Sequence, residues 1–371
     1  MSIETKELLY QVRIFDATNQ VVAVYDDLVE VSYRKQCNKV GMAVLTVPEG
    51  HAILDFLEDN LVIGIYIAYP FIVTSWVLEY EGLYRDRQIV TDENGNIYYL
   101  LFFPSMLEIL SRYIVAWPNG ITLRSEFSNY LIAGAVILVV QYNCTSYATT
   151  GNGRLRTATV IRGLSIDNIV PSSIKINYSV AGRNVLEILQ EWLPLCNFDF
   201  DIIQNPSNPG SYHFHQYYGQ LGTDRSAYVF FDLVLDNLDN ANLFGDQMRE
   251  KTKAIVGGAG AGSSRLYSLR TGDNSSATNE YEVFVDASTE TVTVNLEEIG
   301  DSRLGELKAM AKVSANVVNS EGYIYGRSYN HGDLVTVRIG DVSLVRKIDA
   351  VDVTFSQNQH SDIRLEFSNP S

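Results

Sequence analysis

The stretch Ser179–Ile203, SVAGRNVLEILQEWLPLCNFDFDII, constrains the fold more than any other, because within it the apolar period changes from that of a helix to that of a strand. Val185, Ile188, Leu189, Trp192 and Leu193 recur at the spacing of one helical face. Gly182 or Asn184 can open this helix, and Pro194, whose ring cannot continue the ladder, closes it. Phe198, Phe200 and Ile202 then alternate with Asp199 and Asp201, the two-residue period of a half-buried strand. The run NPSNPG at 205–210 is a dense turn signal, and Tyr212 to Tyr217 alternate again, so a helix followed by a hairpin is predicted.

Long strand-rich arms flank this unit. Charged residues are 19% of the chain against about 25% in an average domain, while 23 Tyr and 15 Phe accompany many Val, Ile and Thr. That bias suits pleated, half-buried surfaces and predicts a mainly β protein with α+β parts. Strands are expected at Leu8–Phe15, Val21–Tyr25, Leu28–Tyr33, Met42–Val47, Val62–Ala68 and Phe71–Tyr80. The hairpin-type turn DENGN at 92–96 joins two more, Arg85–Val90 and Ile97–Phe103. Beyond the opening unit, Ile174–Val180, Ala227–Leu235, Lys253–Val256, Arg265–Leu269 and Tyr281–Val285 also read as strands. The C-terminal strands are Tyr323–Tyr329, Leu334–Ile339, Val342–Phe355 and Ile363–Phe367. Further helices are expected at His51–Leu61, Met106–Tyr113, Arg124–Tyr142 and Asn295–Ala315. The last carries Leu296, Ile299, Leu304, Leu307, Met310 and Ala311 near one face, interrupted by Gly300 and Gly305.

Residue chemistry excludes more than it assigns. Asp and Glu total 44 against 28 Lys and Arg, a formal charge of -16, which disfavours stable binding to phosphate backbones. Cys37, Cys144 and Cys196 are odd in number and widely spaced, giving neither a disulfide framework nor a zinc site. Asp199 and Asp201 on one strand face, with His213 and His215 on the facing strand, make a metal site conceivable. A solvated sheet face with cross-strand charge pairs accounts for the same pattern, and no metal ligand is assigned. The run GGAGAGSS at 257–264 follows a strand but opens no helix, so it reads as a tight bend rather than a nucleotide cradle. No nucleophile elbow, HExxH or opposed carboxylate pair is present, and neither a catalytic nor a cofactor-binding residue is assigned. No cationic-then-apolar leader opens the chain, and the longest apolar run, 131–140, is about half of the ~20 residues a spanning helix needs. A soluble protein of a reducing compartment, without a membrane-spanning segment, is expected.

The order of these elements resembles that of siphophage baseplate hub proteins, also described as Gp-thirty-seven-like or tail-associated proteins. The correspondence begins with LLYQVRIFDATNQVVAVYDDLVEVSYRKQCNKVGMAVLTVPEGHAILDFLEDNLVIGIYIA. It continues through DRQIVTDENGNIYYLLFFPSMLEILSRYIV, GRNVLEILQEWLPLCNFDFDI, KAIVGGAGAGSSRLYSL, NEYEVFVDAS and YNHGDLVTVRIGDVSLVRKIDAVDVTF, in the family's order along nearly the whole chain. Such proteins are similar to the hub of contractile T-even tails. The resemblance implies two tube-like β-barrels alternating with smaller helix-plus-hairpin units, in a homotrimer that closes a ring.

On this resemblance residues 1–123 form the first barrel and 124–222 the helix-hairpin unit. Residues 223–270 form a return segment that can rejoin the first barrel, and 271–371 the second barrel with its helix. A structural role in the virion tail follows: beneath the sixfold distal tail protein ring, adapting it to a threefold tip and surrounding the channel for genome ejection. Implied partners are the distal ring, the tape-measure protein and tail-tip or receptor-binding proteins, with DNA passing transiently and assembly in the host cytoplasm. Many relatives append a peptidase or lysozyme domain; here the sequence stops at Ser371, after the last strands, and no lytic activity is expected. The alternative from another class is a glycan-binding tail-tip protein that contacts the host.

Overall fold

A computed structural model describes residues 8–68, 75–116, 125–246, 248, 250–288, 291, 293–308, 310–317, 323–356 and 361–369. The chain forms two compact units, Met1–Ala241 with Ser314–Ser371, and Asn242–Val313. Both are built mainly from strands, as the aromatic and β-branched composition requires.

In the larger unit, the strand Glu30–Gln36 turns back through Asn38, in the left-handed region at φ 60°, to pair with Met42–Pro48. That strand pairs with Ile97–Pro104, which forms the expected hairpin with Asp86–Thr91. On its other side Glu30–Gln36 pairs antiparallel with Val342–Ser356, whose other partners are Leu334–Ile339 and Ser361–Ser368. Arg34 fixes this junction, reaching Asp352 at 2.6 Å and Glu366 at 2.7 Å. A four-stranded antiparallel sheet, in the order Val21–Tyr25, Leu9–Phe15, Val62–Ala68, Val77–Leu83, lays its apolar face on the large sheet. The Tyr10 ring lies 5.0 Å from Phe355 and the Tyr80 ring 5.6 Å from Tyr33, so aromatic side chains fill the space between the layers. Among the described residues no sheet closes into a barrel.

The same unit carries a helical layer, α1 (Glu108–Ser111), α2 (Ile132–Cys144) and α3 (Val185–Trp192), with the hairpin Phe198–Gln204 and Tyr212–Tyr218. Asn184 caps α3, its side-chain oxygen accepting from the backbone N–H of Leu186 (2.9 Å) and Glu187 (3.4 Å). Val185, Leu186, Ile188, Leu189 and Trp192 are all buried. Their core continues through Ile132, Val136, Val139 and Val140 of α2 to Phe200 and Phe214 of the hairpin. A helix that is apolar on nearly every face is thus enclosed.

Several sequence expectations need correction. The helix expected at Arg124–Tyr142 begins only at Ile132; Glu126–Leu131 is a strand paired with Lys175–Ser179. Asn129, at φ 49°, breaks the strand's alternation, and Asn177 holds it by accepting its backbone N–H at 2.8 Å. His51–Leu61 gives only the short 3-10 turn Ala52–Phe56, and Tyr323–Tyr329 is not a strand but folds back at Gly326, φ 80°. The strand expected at Phe71–Tyr80 is placed at Val77–Leu83; residues 71–74 lie outside the described set.

In the smaller unit the central strand Lys253–Gly257 pairs antiparallel with Tyr267–Thr271 and parallel with Glu282–Asp286. The helix α4 (Thr293–Glu306) lies on this sheet. Gly300 permits the close approach: a Cβ there would meet Arg270 Cγ at 2.5 Å and Val256 Cγ2 at 2.9 Å. The glycine that weakens the helical signal is what lets the helix seat. The expected extension to Ala315 fails because the chain re-enters a strand, Met310–Val317, where Ala315 and Val317 are buried and Asn316 is exposed. Leu307, expected in the apolar stripe, is half-buried beyond the helix end, and its carbonyl accepts from Lys251 N–H at 3.0 Å. The stripe rests on Leu296 and Leu304, both buried. Leu304→Ala should therefore destabilise this unit by about 2–5 kcal/mol. Thermal melting of the variant checks this; an unchanged transition would place Leu304 outside a core.

Candidate functional site

The hairpin aligns Asp201 with His215, Ile203 with His213 and Asp199 with Tyr217, so the two acids and two histidines do share one face. Their side chains nevertheless turn to separate partners. His213 Nδ1 lies 2.9 Å from Ser165 Oγ, and His215 Nδ1 lies 2.5 Å from Asp167 Oδ2. Asp199 is buried and ion-paired with Lys347, and it accepts from Asn38 Nδ2 and Leu221 N–H, each at 2.8 Å. Among the described residues no three His, Cys, Asp or Glu side chains are grouped as a metal ion would require.

Asp201 instead enters a cleft of about 260 Å³ in the larger unit, lined among others by Lys35, Glu79, Glu81, Gln204 and His331. Strand periodicity explains the composition: Glu79 and Glu81 are two residues apart in Val77–Leu83 and share a face, while Tyr80 points the other way, into the sheet interface. Glu79 accepts from Lys35 Nζ at 3.0 Å and from the Tyr325 hydroxyl. Glu81 accepts from the Tyr212 hydroxyl at 2.9 Å and from the Gln204 side-chain amide. Burial pushes the Glu81 carboxyl up to about 7, against the lowering effect of those two hydrogen bonds. Burial likewise pushes Asp201 up to about 6, opposed by the backbone N–H of Ile202. His331 is driven down to about 3 by burial, reinforced by Lys35, so its imidazole is neutral at physiological pH. Beside it the buried Cys37 thiol is raised by desolvation and stays protonated.

Of this group sequence reasoning singled out Asp201 alone. Glu79 and Glu81 could be read as sharing a face from VLEYEGL, but nothing local indicates that the face meets the hairpin. The glycine run at 257–264 forms a tight bend between antiparallel strands, with Gly260 at φ 104°. The Arg265 guanidinium occupies the space above it, donating to the carbonyls of Gly258 (3.0 Å) and Gly257 (3.1 Å). No helix among the described residues is long and apolar enough to cross a membrane.

The layered sheets with an inserted helix-hairpin layer define the class: this is the fold of phage tail proteins. A tail protein from Neisseria meningitidis superposes with a TM-score of 0.59 at 10% identity, covering 98% of this chain and 97% of that one. The 43 kDa tail protein of prophage MuSo2 from Shewanella oneidensis gives 0.59 at 12% identity, over 97% and 98% of the two chains. A chain of the lidded Francisella PdpA–VgrG complex gives 0.53 at 10% identity, over 98% of this chain and 52% of that one. At these identities the likeness is one of fold. A comparison with curated proteins finds no match. The family described as siphovirus ReqiPepy6 Gp37-like protein matches residues 11–368, and the chain belongs to that family. The kinship read from the collinear motifs is therefore correct, and the protein is a component of a phage tail.

Proposed function

We propose that this chain is a structural baseplate hub protein, a homotrimer that joins the sixfold distal tail ring to a threefold tip. The observation that carries this reading is the likeness to tail proteins over 97–98% of both chains, which concerns whole proteins rather than one shared module. Strands that end their sheets among the described residues, such as Val21–Tyr25, suit a subunit completed by neighbours. In the assembled ring, segments 1–123 and 271–371 would supply the two tube-like barrels, with 124–222 and 223–270 between them. Its partners would be the distal ring, the tape-measure protein and tail-tip or receptor-binding proteins, met during assembly in the host cytoplasm. The protein would have no enzymatic activity of its own.

The ring would surround the channel through which the genome leaves. A basic wall would hold phosphates at many points, with affinity accumulating at each neutralised charge. The formal charge of -16 supports a wall where acids outnumber bases and DNA slides past, its repulsion screened beyond about 8 Å at physiological salt. Averaged images of assembled tails, with native mass spectrometry of the purified protein, test the reading. A threefold ring with an acidic bore is expected. A sixfold ring, a monomer in the tail, a basic bore or no bore would each overturn the corresponding part. Saturable sugar binding by the purified chain on a glycan array would favour a host-contacting tip protein instead.

A further inference from the structure

Three acceptor groups line the cleft of the larger unit without a cation to match them. Three other acids in this unit have one: Asp199 is paired with Lys347, Glu79 with Lys35 at 3.0 Å, and Asp333 with Arg225 at 2.8 Å. Glu81 instead meets only the neutral donors of Gln204 and Tyr212, and Asp201 accepts from the neighbouring Ile202 N–H at 2.7 Å. Among the described residues no ion pair reaches either carboxylate. His331 is only 8% exposed, and its Nε2 lies 3.2 Å from the Asp349 carbonyl. With Nε2–H donating there, Nδ1 holds a lone pair with no partner among the described residues.

We propose that this cleft receives a guanidinium group, the head of an arginine side chain, with Glu81, Asp201 and His331 Nδ1 as its acceptors. A guanidinium is planar, weakly hydrated and carries five donors, so it can satisfy several acceptors at once where an ammonium acts as a point charge. Leu78, Met106 and Ile203 in the cleft wall offer apolar surface to its methylene stem. A volume of about 260 Å³ suits one side chain, not a folded segment. The two carboxylates, costly to ionise in a buried site, share the counterion that neither has.

Calorimetric titration of the full-length protein near neutral pH with N-acetyl-arginine amide tests the site, with N-acetyl-citrulline amide as the uncharged isostere. Saturable binding of the arginine compound is expected, with none of citrulline. Affinity should fall roughly tenfold or more in Glu81→Gln and in Asp201→Asn. It should also weaken as the pH is lowered through about 7 and then about 6, where Glu81 and Asp201 take up protons. The other charged or titratable groups near this pair are Lys35, Cys37, Lys39, Glu79, Arg162, His215, His331, Tyr212 and Tyr217, with Tyr80 behind them on the opposite side of its strand. A His215→Gln variant should keep the pH profile. Equal binding of citrulline and arginine compounds, which needs no variant to fold, overturns the proposal, as does unchanged affinity in both carboxylate variants. Tighter binding of agmatine than of an arginine within a short peptide assigns the guanidinium to a small free molecule; the reverse assigns it to a partner chain.

Discussion

Lys347→Met should lower the stability of the larger unit by about 3–5 kcal/mol, because it strands a buried carboxylate without its cation. The Lys347 and Asp199 side chains are each only 4% exposed. Their contact joins the hairpin to the long C-terminal strand Val342–Ser356. Asp199 would keep its hydrogen bonds from Asn38 and Leu221, which cannot offset the lost positive charge. The double variant Asp199→Asn with Lys347→Met should recover much of the loss, since removing both charges also removes their desolvation cost. Denaturant unfolding of the two variants beside the parent measures this. A single variant as stable as the parent would show that the two groups are not paired in solution.

Trp192→Ala should cost about 3–5 kcal/mol, the range for deleting a large aromatic side chain from a packed core. The indole is 0% exposed, meets Phe127 edge-on with centroids 5.6 Å apart, and lies 6.0 Å from the Tyr178 ring. Trp192→Phe should cost distinctly less, for two reasons. It keeps most of the apolar contact, and it removes a buried Nε1–H that has no partner among the described residues. Equal losses in the two variants, by the same unfolding measurement, would mean that Nε1–H has a partner after all, such as a buried water.

What could be read without coordinates was local. The change of period after Asn197, the Asn184 cap and the turn at 205–210 are each written within a few residues, and α3 and its hairpin follow them closely. Glu126–Leu131 was illegible for an equally local reason, since left-handed Asn129 removes the alternation by which a strand is recognised. The cleft could not be seen because Lys35, Glu79, Asp201 and His331 come from four separated segments. Their convergence depends on strand pairing, and periodicity tells only which side of a strand is buried. The same limit hid Lys347 as the partner of Asp199, a residue that looked like one of a solvated pair on an exposed sheet face.

The junction held by Arg34 also sets a timetable for synthesis. Arg34 and Asp352 are 318 residues apart, so the strand Glu30–Gln36 leaves the ribosome long before its partner Val342–Ser356 exists. At about 5–20 residues per second, the interval is roughly 15–60 s. During it the early hairpin must wait with one pairing edge open and Val31, Tyr33, Ala43 and Leu45 not yet fully enclosed. The nascent chain is then most exposed to mispairing with its siblings on the same message, and a holding chaperone or a slower supply of ribosomes should raise the yield of folded protein.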